Sequence, residues 1–295
     1  MVTSNQAKGI GFTVFSQLLW GILPVYWKLL SPLNSLGILG FRIICSLILI
    51  ICILLPQGNT RWLRVLAEPG KRLFIAAAAC LITFNWGLYI WAINAGHTVE
   101  SSLGYYMNPL VSILLGLIFF REGLSPLRWT AFGFAAAGVS LLTILSGTFP
   151  WISLCLALSF GFYGLFKKKA DAGSLETLGA ETLLAAPLAL LFILLPGGAL
   201  GDLRDLSGGL WFALLLSGAA TTLPLYCFSR GVKLLPLSAL GFIQFINPTM
   251  LLITGVFLFG EAFPVRNLLA FALIWVSVML YSVSFLVKSE KGGVK

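Results

Sequence analysis

NPLVSILLGLIFFREG, residues 108–123, and NPTMLLITGVFLFGEA, residues 247–262, read as one element written twice. Each copy opens on Asn-Pro and reaches a glutamate fourteen residues later, Glu122 in the first and Glu261 in the second. The two asparagines stand 139 residues apart in a chain of 295, which divides it into halves at 1–147 and 148–295. At the same offset Ser35, Leu36, Leu39 and Gly40 recur as Ser174, Leu175, Leu178 and Gly179, and Arg42 falls opposite Glu181. Duplication inside an apolar chain is the pattern of transporters built from internal repeats.

Hydrophobic residues make up 59% of the chain and charged residues 10%, with a mean hydropathy of +0.98. Such a composition cannot cover a core with a water-facing surface, and it places the chain among polytopic membrane proteins. Windows of about 20 apolar residues, broken at Pro, Gly and charge clusters, predict ten spans. They lie at residues 10–30, 35–55, 73–95, 100–120, 127–146, 149–167, 177–195, 210–229, 237–259 and 266–287. Hydrocarbon offers no hydrogen bonds, so apolar runs of this length must be helices. The expected fold is all-α and integral to the membrane. Five spans per half is an odd number, so the second half enters from the opposite face. Ten transmembrane helices then form two inverted five-helix repeats within one transmembrane domain, with a solute site near the midplane between them.

The connections set the orientation. Fifteen of nineteen basic residues, from Lys8 through Arg61, Arg121 and Lys167–Lys169 to Lys295, fall on one side of the predicted bundle. The other loops hold only Arg204 and Arg266, while Lys28 and Arg42 lie in or beside spans. By the positive-inside rule both termini are cytoplasmic, so the net charge of +9 is a topology signal and implies no nucleic-acid partner. Lys8 leads into an apolar run without a short cleavable segment, which reads as a retained first span.

Five cysteines sit singly inside apolar spans and read as reduced packing residues. With one histidine, no grouped ligand set for a metal is expected, and no catalytic residue or cofactor is expected either. Charges within spans are more telling, because each is expensive to insert. Arg42 and Glu181 are the clearest of these. Inverted symmetry puts them near opposite faces, so they are not expected to pair; pathway and anchoring roles both remain open. Lys28 joins them as a gating or charge candidate, and His97, beside Glu100 at the outer end of the third span, as a proton-sensitive one. Glu122 and Glu261 read as caps of a neighbouring helix or partners of Arg128 and Arg266, with proton coupling as the other possibility.

The third and fourth spans concentrate aromatic and polar groups beyond what lipid-facing helices need. Asn85, Trp86 and Tyr89 share a helical face by their spacing, followed by Tyr105, Tyr106 and Asn108. Their partners in the second half are Thr222, Tyr226, Gln244 and Asn247. This set is the candidate solute-binding lining, suited to flat solutes oriented by a few hydrogen bonds. Trp20, Trp27, Trp91 and Trp151 fall near predicted interfaces and read as aromatic belts. Pro109 and Pro248, being duplicated, are the candidate hinges.

WGILPVYWKLL from Trp20, NWGLYIWAINAGHTVESSLGYYMNPLVSILLG from Asn85, FREGLSPLRW from Phe120, LPLSALGFIQFINPT from Leu235 and FLFGEAFP from Phe257 together carry a resemblance. Over nearly its whole length the chain resembles the RarD-type branch of the EamA family, in the drug/metabolite transporter superfamily. The resemblance implies a ten-helix bacterial inner-membrane permease of two inverted repeats that moves small metabolites or drugs, often outward. Relatives export amino acids. Gly37 and Phe41 depart from that pattern, which leads one to expect a Glu and a His before Arg42; Glu176 keeps the counterpart of the missing Glu.

The expected function is therefore a secondary permease or exporter of small organic solutes in the lipid bilayer, driven by proton exchange or facilitated diffusion. No Gly-rich Lys-Ser/Thr phosphate loop is present for ATP. Import of nucleobases, vitamins or sugars is the alternative within transport, and a membrane-embedded enzyme or sensor the alternative outside it. The assembly is expected to be a monomer or a weak dimer.

Overall fold

A computed structural model of the chain describes residues 4–95, 97–147, 149–194, 206–260 and 265–290. Among them the structure is helical throughout, with no strand. The elements are α1 (Ser4–Leu29), α2 (Ser35–Leu54), a short α3 (Arg61–Arg64), α4 (Pro69–Asn94), α5 (Thr98–Phe120) and α6 (Pro126–Ser146), then α7 (Trp151–Lys169), α8 (Ser174–Leu194), α9 (Gly208–Leu234), α10 (Leu237–Gln244), α11 (Ile246–Ile253) and α12 (Leu268–Glu290).

Nine membrane-length spans among the described residues are apolar enough to cross a bilayer. The remaining predicted span, the sixth, is α7, whose 19 residues end in Lys167, Lys168 and Lys169. Local chemistry sets several ends. The Asn34 side chain accepts from the backbone N–H groups of Leu36 and Gly37 at 2.9 and 3.3 Å and so starts α2. Pro126 occupies the first turn of α6, and Gly147 ends that helix at φ +72°, a conformation open to glycine. Several helices outrun their predicted spans. The 27 residues of α9 rise about 40 Å, carrying Arg230 and Lys233 as helical residues past the apolar stretch. The short α3 has no counterpart among the expected elements.

The ninth span departs most from expectation. Residues 237–259 are not one helix: α10 ends at Gln244, α11 begins at Ile246, and a wider π-type turn follows over Thr254–Leu258. Pro248 has no N–H to give the Gln244 carbonyl and crowds it, so the chain interrupts there. The Phe245 N–H turns instead to the Phe242 carbonyl at 3.4 Å. Pro109, its counterpart, stays inside a continuous α5. Of the duplicated Asn-Pro pair, only the second copy breaks its helix.

The bundle is held together chiefly across the halves. Helix α2 packs on α8, α6 on α12, α5 on α10, α1 on α9 and α4 on α7. Two contacts show the repeat in atomic detail. A Cβ on Gly40 would lie 2.7 Å from the Ala189 carbonyl oxygen, and one on Gly179 would lie 3.1 Å from Ile50. Gly40 and Gly179 are related by 139 positions, and so are Ile50 and Ala189, so the same crossing is made twice in opposite senses. Small residues let the backbones approach where lipid supplies no hydrophobic drive. All five cysteines are free; Cys227 is buried, but Cys52 and Cys80 are exposed rather than packed in the core.

Candidate solute cavity

Between the halves lies a cavity of about 130 Å³ lined by α1, α2, α4, α5, α7, α10 and α11. It occupies the middle of the bundle and the half nearer the C-terminal end of α1. Of the predicted lining, Asn85, Trp86, Tyr89, Tyr105, Asn108, Gln244 and Asn247 all reach it, and so does Arg42. The duplicated asparagines Asn108 and Asn247 thus meet at one site. Gln17, Trp20, Pro24 and Trp27 of α1 and Phe160 of α7 complete it. Trp20 and Trp27 therefore face the interior, against the belt reading, because α1 crosses the bundle between α9 and α11. Trp91 and Trp151 are exposed and lie 5.9 Å apart by ring centroid.

The polar atoms divide into those already engaged and those left over. The Asn85 amide donates to the Leu156 carbonyl at 2.9 Å and to Ser159 Oγ at 2.8 Å, fastening α4 to α7. Ser112 Oγ donates to Gln244 Oε1 at 2.9 Å. Gln244 Nε2 and the Oδ1 atoms of Asn108 and Asn247 are buried and find no hydrogen-bond partner among the described residues. Arg42 is gripped differently: its Nε donates to Thr221 Oγ1 at 3.0 Å, and its guanidinium carbon lies 4.7 Å from the Trp27 ring and 4.4 Å from the Trp86 ring. Guanidinium planes stack well on indoles.

The other half of the bundle is filled. Trp20, Phe160, Phe228 and Tyr163 form a run of ring contacts with centroids 5.1 to 6.1 Å apart. Beneath it Lys167 Nζ donates to Glu181 Oε1 at 2.8 Å and Tyr163 donates to Oε2 at 3.3 Å. Lys167 and Glu181 are 1% and 3% exposed, so each charge is compensated inside the protein. Near the end of the bundle Glu122 accepts from the N–H groups of Leu237 and Ser238 at 2.7 and 2.8 Å, capping α10. It also lies 3.6 Å from Lys168. Its repeat partner Glu261 lies outside the described residues.

Several candidates stand elsewhere. Tyr106 donates to the Pro248 carbonyl at 2.9 Å and packs on Phe271, so it braces the α11 start and does not line the cavity. Tyr226 accepts from Arg230 at 3.0 Å and sits against Phe12. Thr222 is buried outside the cavity wall, its hydroxyl unpartnered among the described residues. Glu181 is an internal ion-pair partner and lines no vestibule. Lys28 lies 4.4 Å over the Phe259 ring, and His97 Nδ1 is 3.0 Å from Glu100 at the start of α5.

The sequence carries one further signal of this arrangement. Lys28 and Lys167 are also 139 residues apart. The second half therefore carries Lys167 and Glu181 where the first carries Lys28 and Arg42.

The family described as EamA-like transporter matches the chain twice, over residues 7–144 and 150–283. A Bacillus subtilis (strain 168) protein named Uncharacterized transporter YojE is 42% identical over 288 residues, 96% of each chain. Proteins named RarD from Streptomyces exfoliatus and Escherichia coli (strain K12) are 39% and 34% identical, over 94% and 95% of this chain and 89% and 96% of theirs. A crystal structure with 18% sequence identity superposes with a TM-score of 0.70 over 96% of this chain and 99% of the other, a likeness of fold.

Proposed function

Because the chain belongs to the EamA-like transporter family, and is thus a multi-pass membrane transporter, we propose that it is a secondary permease or exporter working by alternating access. Its cargo is small organic metabolites or drugs, amino acids among them, and it acts in the bacterial inner membrane with both termini in the cytoplasm. The observation that carries this reading is the cavity at the interface of the halves, where Asn108 and Asn247 of the duplicated segments converge. Repeat interfaces are where such proteins bind solute.

The two units, 1–147 and 148–295, rock about that site. With the N-terminal side cytoplasmic, the aromatic run from Trp20 to Tyr163 and the Lys167–Glu181 pair close the inner half, and the cavity occupies the outer half. Protons are the candidate coupling ion, with His97 and Glu100 at the outer mouth as the candidate groups. The protein acts as a monomer or weak dimer.

Counterflow in liposomes tests the reading. Purified protein is loaded with each of a panel of amino acids, aromatic metabolites, nucleobases and amphenicols, and uptake of tracer is followed. At least one solute should accumulate, and Tyr105→Ala or Asn247→Ala should abolish it. Accumulation unaffected by both changes would move the path away from this cavity. No accumulation of any solute, with no thermal stabilisation by any, would overturn the transport reading.

A further inference from the structure

We infer that the cavity is a carboxylate site: Arg42 recognises the anionic end of a small flat organic acid, and Asn108 and Asn247 accept hydrogen bonds from its other end. The inference rests on the reading of this cavity as the transport site and names the class of solute it takes.

The first ground is charge. Arg42 faces the cavity, and among the described residues only its Nε is engaged by a protein acceptor, Thr221. No carboxylate among the described residues lies within ion-pair distance of it. Its stacking on Trp27 and Trp86 holds the guanidinium in place without neutralising it. The cavity exposes the rest of the guanidinium to a solute, and a guanidinium fork matches a carboxylate with two parallel hydrogen bonds.

The repeat supplies the second ground. In the second half, Lys167 meets Glu181 and the charges cancel at 2.8 Å. The same two places in the first half hold Lys28 and Arg42. The position that is an internal anion in the second half is a cavity-facing cation in the first, where an anionic solute can supply the counter-charge.

Size and leftover acceptors define the rest of the ligand. A volume of about 130 Å³ is close to the roughly 150 Å³ of an engineered cavity that holds benzene, and Trp86, Tyr89, Tyr105 and Phe160 give it flat walls. Asn108 and Asn247 are 9% and 8% exposed, and their Oδ1 atoms are unpartnered among the described residues. Buried acceptors are seldom left unmet, so a hydroxyl or amine at the far end of the solute is expected to satisfy them.

The test uses the full chain in lipid nanodiscs and in liposomes, with benzoate, 4-hydroxybenzoate and neutral benzamide as probes. Binding is read by quenching of Trp27 and Trp86 fluorescence, and transport by counterflow. Benzoate should bind at least about tenfold more tightly than benzamide, as a charge-assisted pair requires, and 4-hydroxybenzoate more tightly still. Arg42→Gln should erase the difference between benzoate and benzamide, and Arg42→Lys should reduce it. Asn108→Ala with Asn247→Ala should erase the advantage of the hydroxyl. Equal binding of benzoate and benzamide by the unaltered protein, which needs no variant to fold, would overturn the inference, as would a benzoate preference surviving in Arg42→Gln. If neutral solutes exchange in counterflow while every carboxylate fails, the carboxylate assignment falls and transport stands. If nothing exchanges or binds, both fall.

Discussion

Lys167 and Glu181 form a buried ion pair between α7 and α8, Nζ to Oε1 at 2.8 Å, at the two positions that Lys28 and Arg42 occupy in the first repeat. Two cations cannot pair, so there Lys28 turns to the Phe259 ring and Arg42 to Trp27, Trp86 and Thr221. Duplication left the backbone crossings nearly symmetric while the charges diverged. One half became a sealed internal pair, and the other a positively charged wall of the cavity.

Glu181→Gln should be strongly destabilising, because it leaves the ammonium of Lys167 buried without its counter-charge; breaking such pairs costs about 3 to 5 kcal/mol. Thermal unfolding in detergent should show a large fall in midpoint. The double change Lys167→Met with Glu181→Met should regain most of it, since an apolar pair of similar volume needs no compensation. A double variant no more stable than Glu181→Gln alone would argue against the ion pair as the cause.

Glu122→Gln should loosen the start of α10. Its carboxylate accepts from both Leu237 and Ser238, and losing a cap costs about 0.5 to 2 kcal/mol. Hydrogen exchange should rise in the amides of Leu237–Gln244 and stay unchanged in α12. Uniform exchange across the bundle would point to general loosening instead.

Gly40→Val should displace α2 from α8, because even a first carbon there would lie 2.7 Å from the Ala189 carbonyl. Overpacking costs about 1 to 3 kcal/mol. Gly133→Ala, where nothing among the described residues lies within 4 Å, should be neutral or slightly stabilising. The comparison of the two unfolding midpoints in one detergent checks both.

Tyr106→Phe and Tyr105→Phe should separate bracing from binding. The first removes the hydrogen bond to the Pro248 carbonyl and should lower stability by about 0.5 to 1.5 kcal/mol, with solute affinity kept. The second alters the cavity wall and should change affinity with little change in unfolding midpoint. The reverse pattern would mean that Tyr106 is the residue facing solute.

Much of the architecture was legible in the chain because the constraints on it are short in range. Composition demanded lipid, lipid demanded helices, and the 139-residue offset demanded two copies of one unit. The aromatic and amide residues of α4, α5, α10 and α11 were likewise readable as a cavity wall, since helical spacing alone sets which of them share a face. Which candidates point inward was decided by how helices of opposite halves cross. Only that packing put Trp20 and Trp27 inside, sent Tyr106 to a carbonyl of α11, and gave Asn85 over to Leu156 and Ser159. The break at Gln244 depended on it too, because the same Asn-Pro is tolerated within α5 and splits α10 from α11. Arg42 and Glu181 were visible as expensive charges; that Glu181 found Lys167 while Arg42 found no carboxylate among the described residues is a property of the folded bundle, where neighbours come from segments distant in sequence.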